Sequence, residues 1–294
     1  MSKERHTLRS GGCEATIKAH GAELCSLKDT QGIELIWQAG AAWPRHAPLL
    51  FPIVGRLKND ELRHKGAVYP MTQHGFARDQ VFKWVERNDA FCSLLLRDST
   101  ATRIRYPFAF RLAVTYRLQH ATLDVTLALT NAGDEVLPAS LGAHPAFNWP
   151  LLDGVSKESY RLTFSEEESM PVRRLKGGLL RAKAEPTPVN GKTLALSERL
   201  FEDDAMILDR LASRFVIYAA DRGPSLEVSW HGFRQLGIWS KPGGAPFLCI
   251  EPWQGHADPE GFEGELTAKP GIVLVPPGEA RAFSMTITVD SKGF

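Results

Sequence analysis

The sequence predicts an all-β fold, a large antiparallel β-sandwich with few short helices. Three observations lead there: apolar and polar residues alternate in short runs, glycine and proline punctuate those runs, and convincing helical patterns are scarce. Helices do not alternate with strands, which disfavours a parallel α/β sheet. The 294 residues read as a single domain, 1–294, with 43 % hydrophobic residues to fill its core.

Taken in order, the strand candidates begin with Ala15–Lys18 and Phe91–Arg97. The clearest pair follows. Phe110, Leu112, Val114, Tyr116 and Leu118 alternate with Arg111, Ala113, Thr115 and Arg117. Leu123, Val125, Leu127 and Leu129 then alternate with Asp124, Thr126, Ala128 and Thr130. Only Gln119-His120-Ala121-Thr122 lies between the runs, which predicts an antiparallel hairpin. Less regular candidates are Tyr160–Phe164, Phe215–Ala219, Leu226–Trp230, Leu236–Trp239, Phe247–Ile250 and Ile272–Val275, and Met285, Ile287 and Val289 restore the alternation near the C-terminus. Ser197–Phe201 reads as one short helical turn opened by Ser197 as cap. Residues 166–192 are loop-like, with three consecutive glutamates, Gly177-Gly178, Pro186, Pro188 and Gly191. Strands continue on both sides, so this reads as a surface excursion within one sandwich rather than a linker.

Composition excludes several function classes. A net charge of +1 and the lack of a long basic run weigh against nucleic acid or an anionic membrane surface as partner. No apolar stretch approaches the roughly 18 residues that span a bilayer. Met1-Ser2-Lys3-Glu4-Arg5-His6 carries no apolar signal region, which predicts a cytoplasmic protein. Cys13, Cys25, Cys92 and Cys249 are scattered without CxxC spacing, which argues against a structural zinc site and against disulfides.

The chemistry-bearing candidates sit in three distant stretches. His144 lies in Gly142-Ala143-His144-Pro145-Ala146-Phe147-Asn148-Trp149-Pro150, and the following proline biases it towards extended backbone. At a strand end beside aromatic rings it suits a proton donor to a sugar-like oxygen; the alternative is a core histidine bonded to backbone. His74 sits in Gln73-His74-Gly75-Phe76-Ala77-Arg78, where Gly75 permits close backbone approach and Arg78 can fork onto hydroxyls, carboxylate or phosphate. The alternative for His74 is a loop histidine capping a carbonyl. Glu251 follows the apolar run Phe247-Leu248-Cys249-Ile250 and precedes Pro252-Trp253. A carboxyl at the end of a buried strand is costly unless paired or functional, and its pKa is open to tuning as a general base requires. Its alternative is a buried salt bridge to an arginine. Arg56, behind Leu50-Phe51-Pro52-Ile53-Val54-Gly55, reads either as a site residue or as a cap on the sheet edge. Asp203 and Asp204 after Glu202 read as a solvated turn or as ligands. Trp37, Trp43, Trp149, Trp239 and Trp253 offer flat rings for a sugar face, or serve as plain core. No HxxxH or HxH spacing supports a metal at His74, His144 and Glu251, no G-x-S-x-G elbow is present, and Gly243-Gly244 lacks the spacing and lysine of a phosphate loop.

Together these stretches resemble the aldose 1-epimerase (mutarotase) family, most closely its LacX-like branch. The resembling segments are Ile36-Trp37-Gln38, Ala47-Pro48-Leu49-Leu50-Phe51-Pro52-Ile53-Val54-Gly55-Arg56-Leu57, His74-Gly75-Phe76-Ala77-Arg78, His144-Pro145-Ala146-Phe147-Asn148, Phe201-Glu202-Asp203-Asp204-Ala205 and Ile250-Glu251-Pro252-Trp253. They span most of the chain in the family's order, and the ordered set is more specific than any member. The resemblance implies a galactose mutarotase-like supersandwich with its site on a concave sheet face. It implies that Glu251 is the base for the sugar's C1 hydroxyl and His144 the acid for the ring oxygen, with His74 and Arg56 holding the sugar. A sugar-binding aspartate would fall at Asp204, or at Asp203 if the alignment slips by one. Arg78 is similar to a residue of the hexose-6-phosphate branch and, with Arg56, would hold a phosphate; Trp253 is a substrate-binding candidate on its flat ring, not on the resemblance. No cofactor and no metal is implied.

Two stretches depart from the family's pattern. Pro252-Trp253 stands where the well-characterised galactose enzymes carry a threonine-glutamine type of stretch, and Pro145-Ala146 stands where they have a bulkier pair. Substrate identity is therefore not carried over. The expected function is interconversion of the α and β anomers of an aldose. The alternatives are a hexose-6-phosphate mutarotase and a non-catalytic carbohydrate-binding or regulatory protein. A metal-dependent cupin-like enzyme is a third reading, which would require tightly bound metal. The expected partner is a small sugar or sugar phosphate. Homodimers are common among soluble proteins, and no feature of the chain selects one.

Overall fold

The computed structural model of the protein describes residues 4–292. Its largest sheet has nine antiparallel strands in the spatial order Thr193–Ala195, Arg161–Phe164, Phe215–Ala219, Ser225–His231, Ala280–Asp290, Thr122–Asn131, Phe110–Gln119, Phe91–Arg97 and Lys83–Arg87. The hairpin legible from alternation lies within it, with a register running from Gln119 opposite Thr122 to Phe110 opposite Asn131. Only His120 and Ala121 lie outside these strands, and His120 takes φ 53, as a tight two-residue turn requires.

A second sheet is ordered Met206–Leu208, Gln235–Trp239, Phe247–Gln254, Leu141–Ala143 and Leu49–Leu50, with Ala146–Asn148 also paired to Phe247–Gln254. The two sheets share one core. Leu112, Val114, Leu127 and Ile287 of the first, and Leu236, Ile238, Leu248 and Ile250 of the second, belong to one cluster and are fully buried. Each such side chain contributes about 1.5–3 kcal/mol by leaving water.

The second sheet is covered on both faces. Phe247–Gln254 is buried at every position, and a strand buried on both faces loses its polar alternation. Leu248 and Ile250 face the shared core, whereas Phe247, Cys249 and Trp253 pack in separate clusters on the opposite face. The strand expected to stop at Ile250 therefore continues through Glu251 and Pro252. Proline is tolerated there because its nitrogen faces the interruption between Leu141–Ala143 and Ala146–Asn148; two residues earlier, the Ile250 N–H bonds Pro145 O across the same gap.

Other elements depart from the sequence reading. Ala15–Lys18 is part of the middle strand of a three-stranded sheet, Arg5–Ser10, Cys13–Lys18 and Glu23–Lys28, whose outer strands were not expected. Ser197 precedes a 3-10 turn, Glu198–Phe201, but its side chain makes no capping bond. Thr100–Arg103 is instead capped by Ser99, reciprocally with Thr102; threonine in place of the usual Glu or Gln hid this box. The 166–192 excursion is tied to the sheets. Leu175–Lys176 and Leu179–Leu180 form a small hairpin, Arg173 bridges to Ile207, and Leu180 bridges to Pro259. No helix among the described residues is long and apolar enough to cross a membrane.

Candidate active site

The outer face of the second sheet floors a cleft of about 210 Å³. Sheet register builds this floor. Gly142 lies opposite Trp253 and Ala146 opposite Cys249. The same register, carried across Pro145, sets His144 opposite Glu251. Directly opposed side chains on one face are the closest neighbours a sheet offers, and His144 Nε2 stands 3.1 Å from Glu251 Oε2. On the other side of Glu251 the opposed residue is Gly237. A Cβ at Gly237 or Gly142 would come within 2.7 Å of the Trp253 indole, so the two glycines make the slot in which that ring lies.

Burial dominates the electrostatics. Glu251 is 1 % exposed and His144 6 %. Desolvation raises the Glu251 pKa well above the usual carboxyl range, and the charge of Asp204 raises it further. The Trp253 N–H acts in the opposite direction, although it makes no well-aligned bond. Desolvation lowers His144 to about 3, reinforced by Arg78 and Arg45. His144 Nδ1 and Glu251 Oε2 are both buried without a hydrogen-bond partner. Buried polar atoms are rarely left so, and here they flank a cleft that can hold a ligand. Trp43 stacks on the His144 ring at 5.0 Å and 27°, while Trp239 meets it edge-on at 5.8 Å.

His74 and Arg78 line the same cleft. The Gly55 N–H donates to His74 Nδ1 at 3.1 Å, which assigns the proton of the neutral ring to Nε2. The His74 ring meets the His144 ring edge-on at 5.6 Å. Desolvation, then the neighbouring His144 and Arg78, hold the His74 pKa well below its ordinary value. Arg78 donates to Gln73 O at 2.7 Å, yet its Nε is buried without a hydrogen bond, the Asp79 carboxylate lying 3.9 Å away. Burial and the nearby Arg45 lower the Arg78 pKa to about 10.

Of the two aspartates, Asp204 lines the cleft. Both carboxylates are exposed, and Asp203 points to Arg181, 3.6 Å away, rather than lining the cleft. Arg174 fixes the turn by donating to Leu200 O at 2.8 Å and Asp204 O at 3.1 Å. Arg56 is the expected site residue that the structure sets apart. It is half-exposed, forked onto Asp60 at 2.8 and 2.7 Å, and does not line the cleft. The remaining candidates, His144, Glu251, His74, Arg78, Asp204 and Trp253, line one cleft.

The structure adds residues that sequence reasoning did not single out. Leu175, Ala205 and Ile207 line the wall. Cys249, one of four scattered cysteines, has its sulfur within 4.8 Å of ligand atoms of both His144 and Glu251. Its position two residues before Glu251 on a strand was the available signal.

Comparison with known proteins agrees with this architecture. The family model described as "Aldose 1-epimerase" matches residues 4–271. The chain is 35 % identical to the plasmid-encoded protein LacX of Lactococcus lactis subsp. lactis over 285 residues, covering 93 % of this chain and 95 % of the relative. Among solved structures, a galactose mutarotase related enzyme from Lactobacillus acidophilus superposes with a TM-score of 0.90 at 35 % identity, covering 98 % of this chain and 97 % of that one. A galactose mutarotase-like protein from Lactobacillus casei ATCC 334 gives a TM-score of 0.91 at 30 % identity, covering 97 % and 100 %.

Proposed function

The chain belongs to the aldose 1-epimerase family, and on that premise we propose that it interconverts the α and β anomers of an aldose by acid–base ring opening. The observation that carries this reading is the contact of 3.1 Å between His144 Nε2 and Glu251 Oε2 on the floor of an aromatic-walled cleft. In a cyclic hemiacetal the hydroxyl that loses a proton and the ring oxygen that gains one share a single carbon. Acid and base must then be near neighbours. Paired carboxyls that hydrolyse a glycosidic bond stand about 5–9.5 Å apart, leaving room for attack and departure on opposite faces.

Glu251 takes the C1 hydroxyl proton while His144 protonates the ring oxygen and the C1–O5 bond opens. The aldehyde turns about C1–C2, and closure on the other face reverses both transfers. Before ring opening the pair is carboxylate and imidazolium; after it, carboxylic acid and neutral imidazole. Both arrangements hold one proton. Burial favours the neutral arrangement, since raising Glu251 and lowering His144 both oppose charge. Sugar hydroxyls that bond the orphaned Glu251 Oε2 favour the charged one. The Trp43 face on His144 also favours imidazolium, as ring faces attract cations.

A hexose 6-phosphate is the second reading. It is favoured by Arg78, whose buried Nε makes no hydrogen bond, with Asp79 Oδ2 3.9 Å away, while the side chain lines the cleft. Anomer exchange followed by NMR across aldoses and hexose 6-phosphates tests both. Acceleration on a free aldose supports the first reading, and acceleration confined to phosphorylated sugars supports the second. A flat panel with ligand line broadening supports a non-catalytic carbohydrate-binding protein.

A further inference from the structure

We propose that Cys249, His144 and Glu251 bind a borderline-soft divalent cation, Zn²⁺ in particular, and that occupancy silences the acid–base pair. The three residues are buried, and their ligand atoms lie within 4.8 Å of one another. The grouping follows from the fold. Cys249 and Glu251 are two apart on Phe247–Gln254 and so share its outer face, and Ala146 opposite Cys249 sets His144 diagonal to the thiol.

The spacing suits a tetrahedral ion. Nitrogen and oxygen ligands at about 2.0–2.1 Å from zinc lie roughly 3.3 Å apart, and His144 Nε2 and Glu251 Oε2 already stand at 3.1 Å. A thiolate at about 2.3 Å lies roughly 3.5 Å from each of the other two ligands, so the sulfur closes by no more than about 1.3 Å from the 4.8 Å bound. A second observation points to a ligand here: Glu251 Oε2 is buried with no hydrogen-bond partner, on a side chain that is 1 % exposed. Thiolate with imidazole selects zinc-like ions over Mg²⁺ or Ca²⁺, which prefer oxygen alone. His144 and Glu251 line the cleft and Cys249 does not, so the fourth position faces the cleft.

On binding, Cys249 becomes a thiolate and its proton leaves to solvent. The ion occupies the His144 nitrogen and the Glu251 oxygen that exchange would use. His144 Nδ1 has no well-aligned acceptor to brace it, which weakens the site relative to braced zinc ligands and makes occupancy reversible. Metal binding stands apart from the anomer-exchange reading; only the inhibition rests on it.

Co²⁺ titrated into the full-length protein tests the site without reference to activity. The expected result is near-ultraviolet thiolate-to-cobalt absorption with the visible bands of a four-coordinate ion, both displaced by Zn²⁺. Cys249→Ser should lose the thiolate absorption while Cys13, Cys25 and Cys92 remain as internal controls, and Glu251→Gln should weaken Co²⁺ binding by about tenfold or more. Cys249→Ala, with circular dichroism to check folding, serves if the serine variant fails to fold. Zn²⁺ should slow wild-type exchange by about tenfold or more at saturation, and should slow the Cys249→Ser protein much less relative to its own metal-free rate. Absorption that is missing from wild type, or that persists in both Cys249 variants, overturns the site. Absorption in a protein that exchanges no sugar leaves the site standing and removes the anomer-exchange reading.

Discussion

His74 and Asp204 both hold left-handed backbone, φ 65 and φ 67, and both line the cleft. For residues other than glycine this costs on the order of 1–3 kcal/mol and persists where surroundings enforce it. At His74 the enforcement is Gly55, whose carbonyl accepts from the His74 N–H at 2.8 Å and whose N–H donates to His74 Nδ1 at 3.1 Å. At Asp204 it is the Arg174 clamp on Leu200 O and Asp204 O. Asp204→Asn should raise KM by about tenfold or more, the worth of a charge-assisted hydrogen bond of about 1.5–3 kcal/mol, with a smaller effect on kcat. Asp203→Asn should leave both unchanged; steady-state kinetics on the accepted sugar checks the pair. The sequence could not choose between these neighbouring aspartates, because only the turn decides which carboxylate meets the cleft. His144 and Glu251 were legible because each is a polar group set in an apolar strand-like run. Cys249 was not, since its meaning depends on register with a strand about a hundred residues earlier.

At the scale of elements, the central strand Phe247–Gln254 was only half legible. Its apolar first half announced itself, whereas Glu251 and Pro252 look like a terminus until both faces are known to be covered. The glycines on its flanking strands carried no sequence signal for the same reason. Gly142 and Gly237 matter because the Trp253 ring lies against both. Gly237→Ala should displace that ring and destabilise the fold by about 1–3 kcal/mol, the usual cost of overpacking. Urea unfolding followed by far-ultraviolet circular dichroism measures the loss, and a fall in sugar affinity should accompany it. The 166–192 excursion illustrates the opposite limit. Its composition reads as loop, yet Leu175 lines the cleft through a two-residue strand too short to show a period.

At the scale of the whole molecule, the cleft depends on segments about two hundred residues apart. The Lys58 N–H donates to Asp258 Oδ2 at 2.9 Å, and Lys269 donates to Asp258 Oδ1 at 2.7 Å with its side chain fully buried. This joins the loop carrying Gly55 to the loop carrying Ala257, both of which line the cleft. Lys269→Met should cost about 3–5 kcal/mol, because it leaves a buried carboxylate without its cation; thermal unfolding of the variant checks this. The antiparallel sandwich was legible from alternation in Phe110–Gln119 and Thr122–Asn131, and the cross-chain ties were not, because no local pattern announces a partner so far away. The central claim is that His144 and Glu251 act as one unit. It is tested most directly by NMR exchange rates for wild type, Glu251→Gln, His144→Gln and the double variant, with sugar binding measured in parallel. The account predicts that each single substitution slows exchange by about 10²–10⁴-fold while binding survives, and that the double variant is no slower than the worse single one. Either single variant exchanging anomers within about twofold of wild type would contradict it.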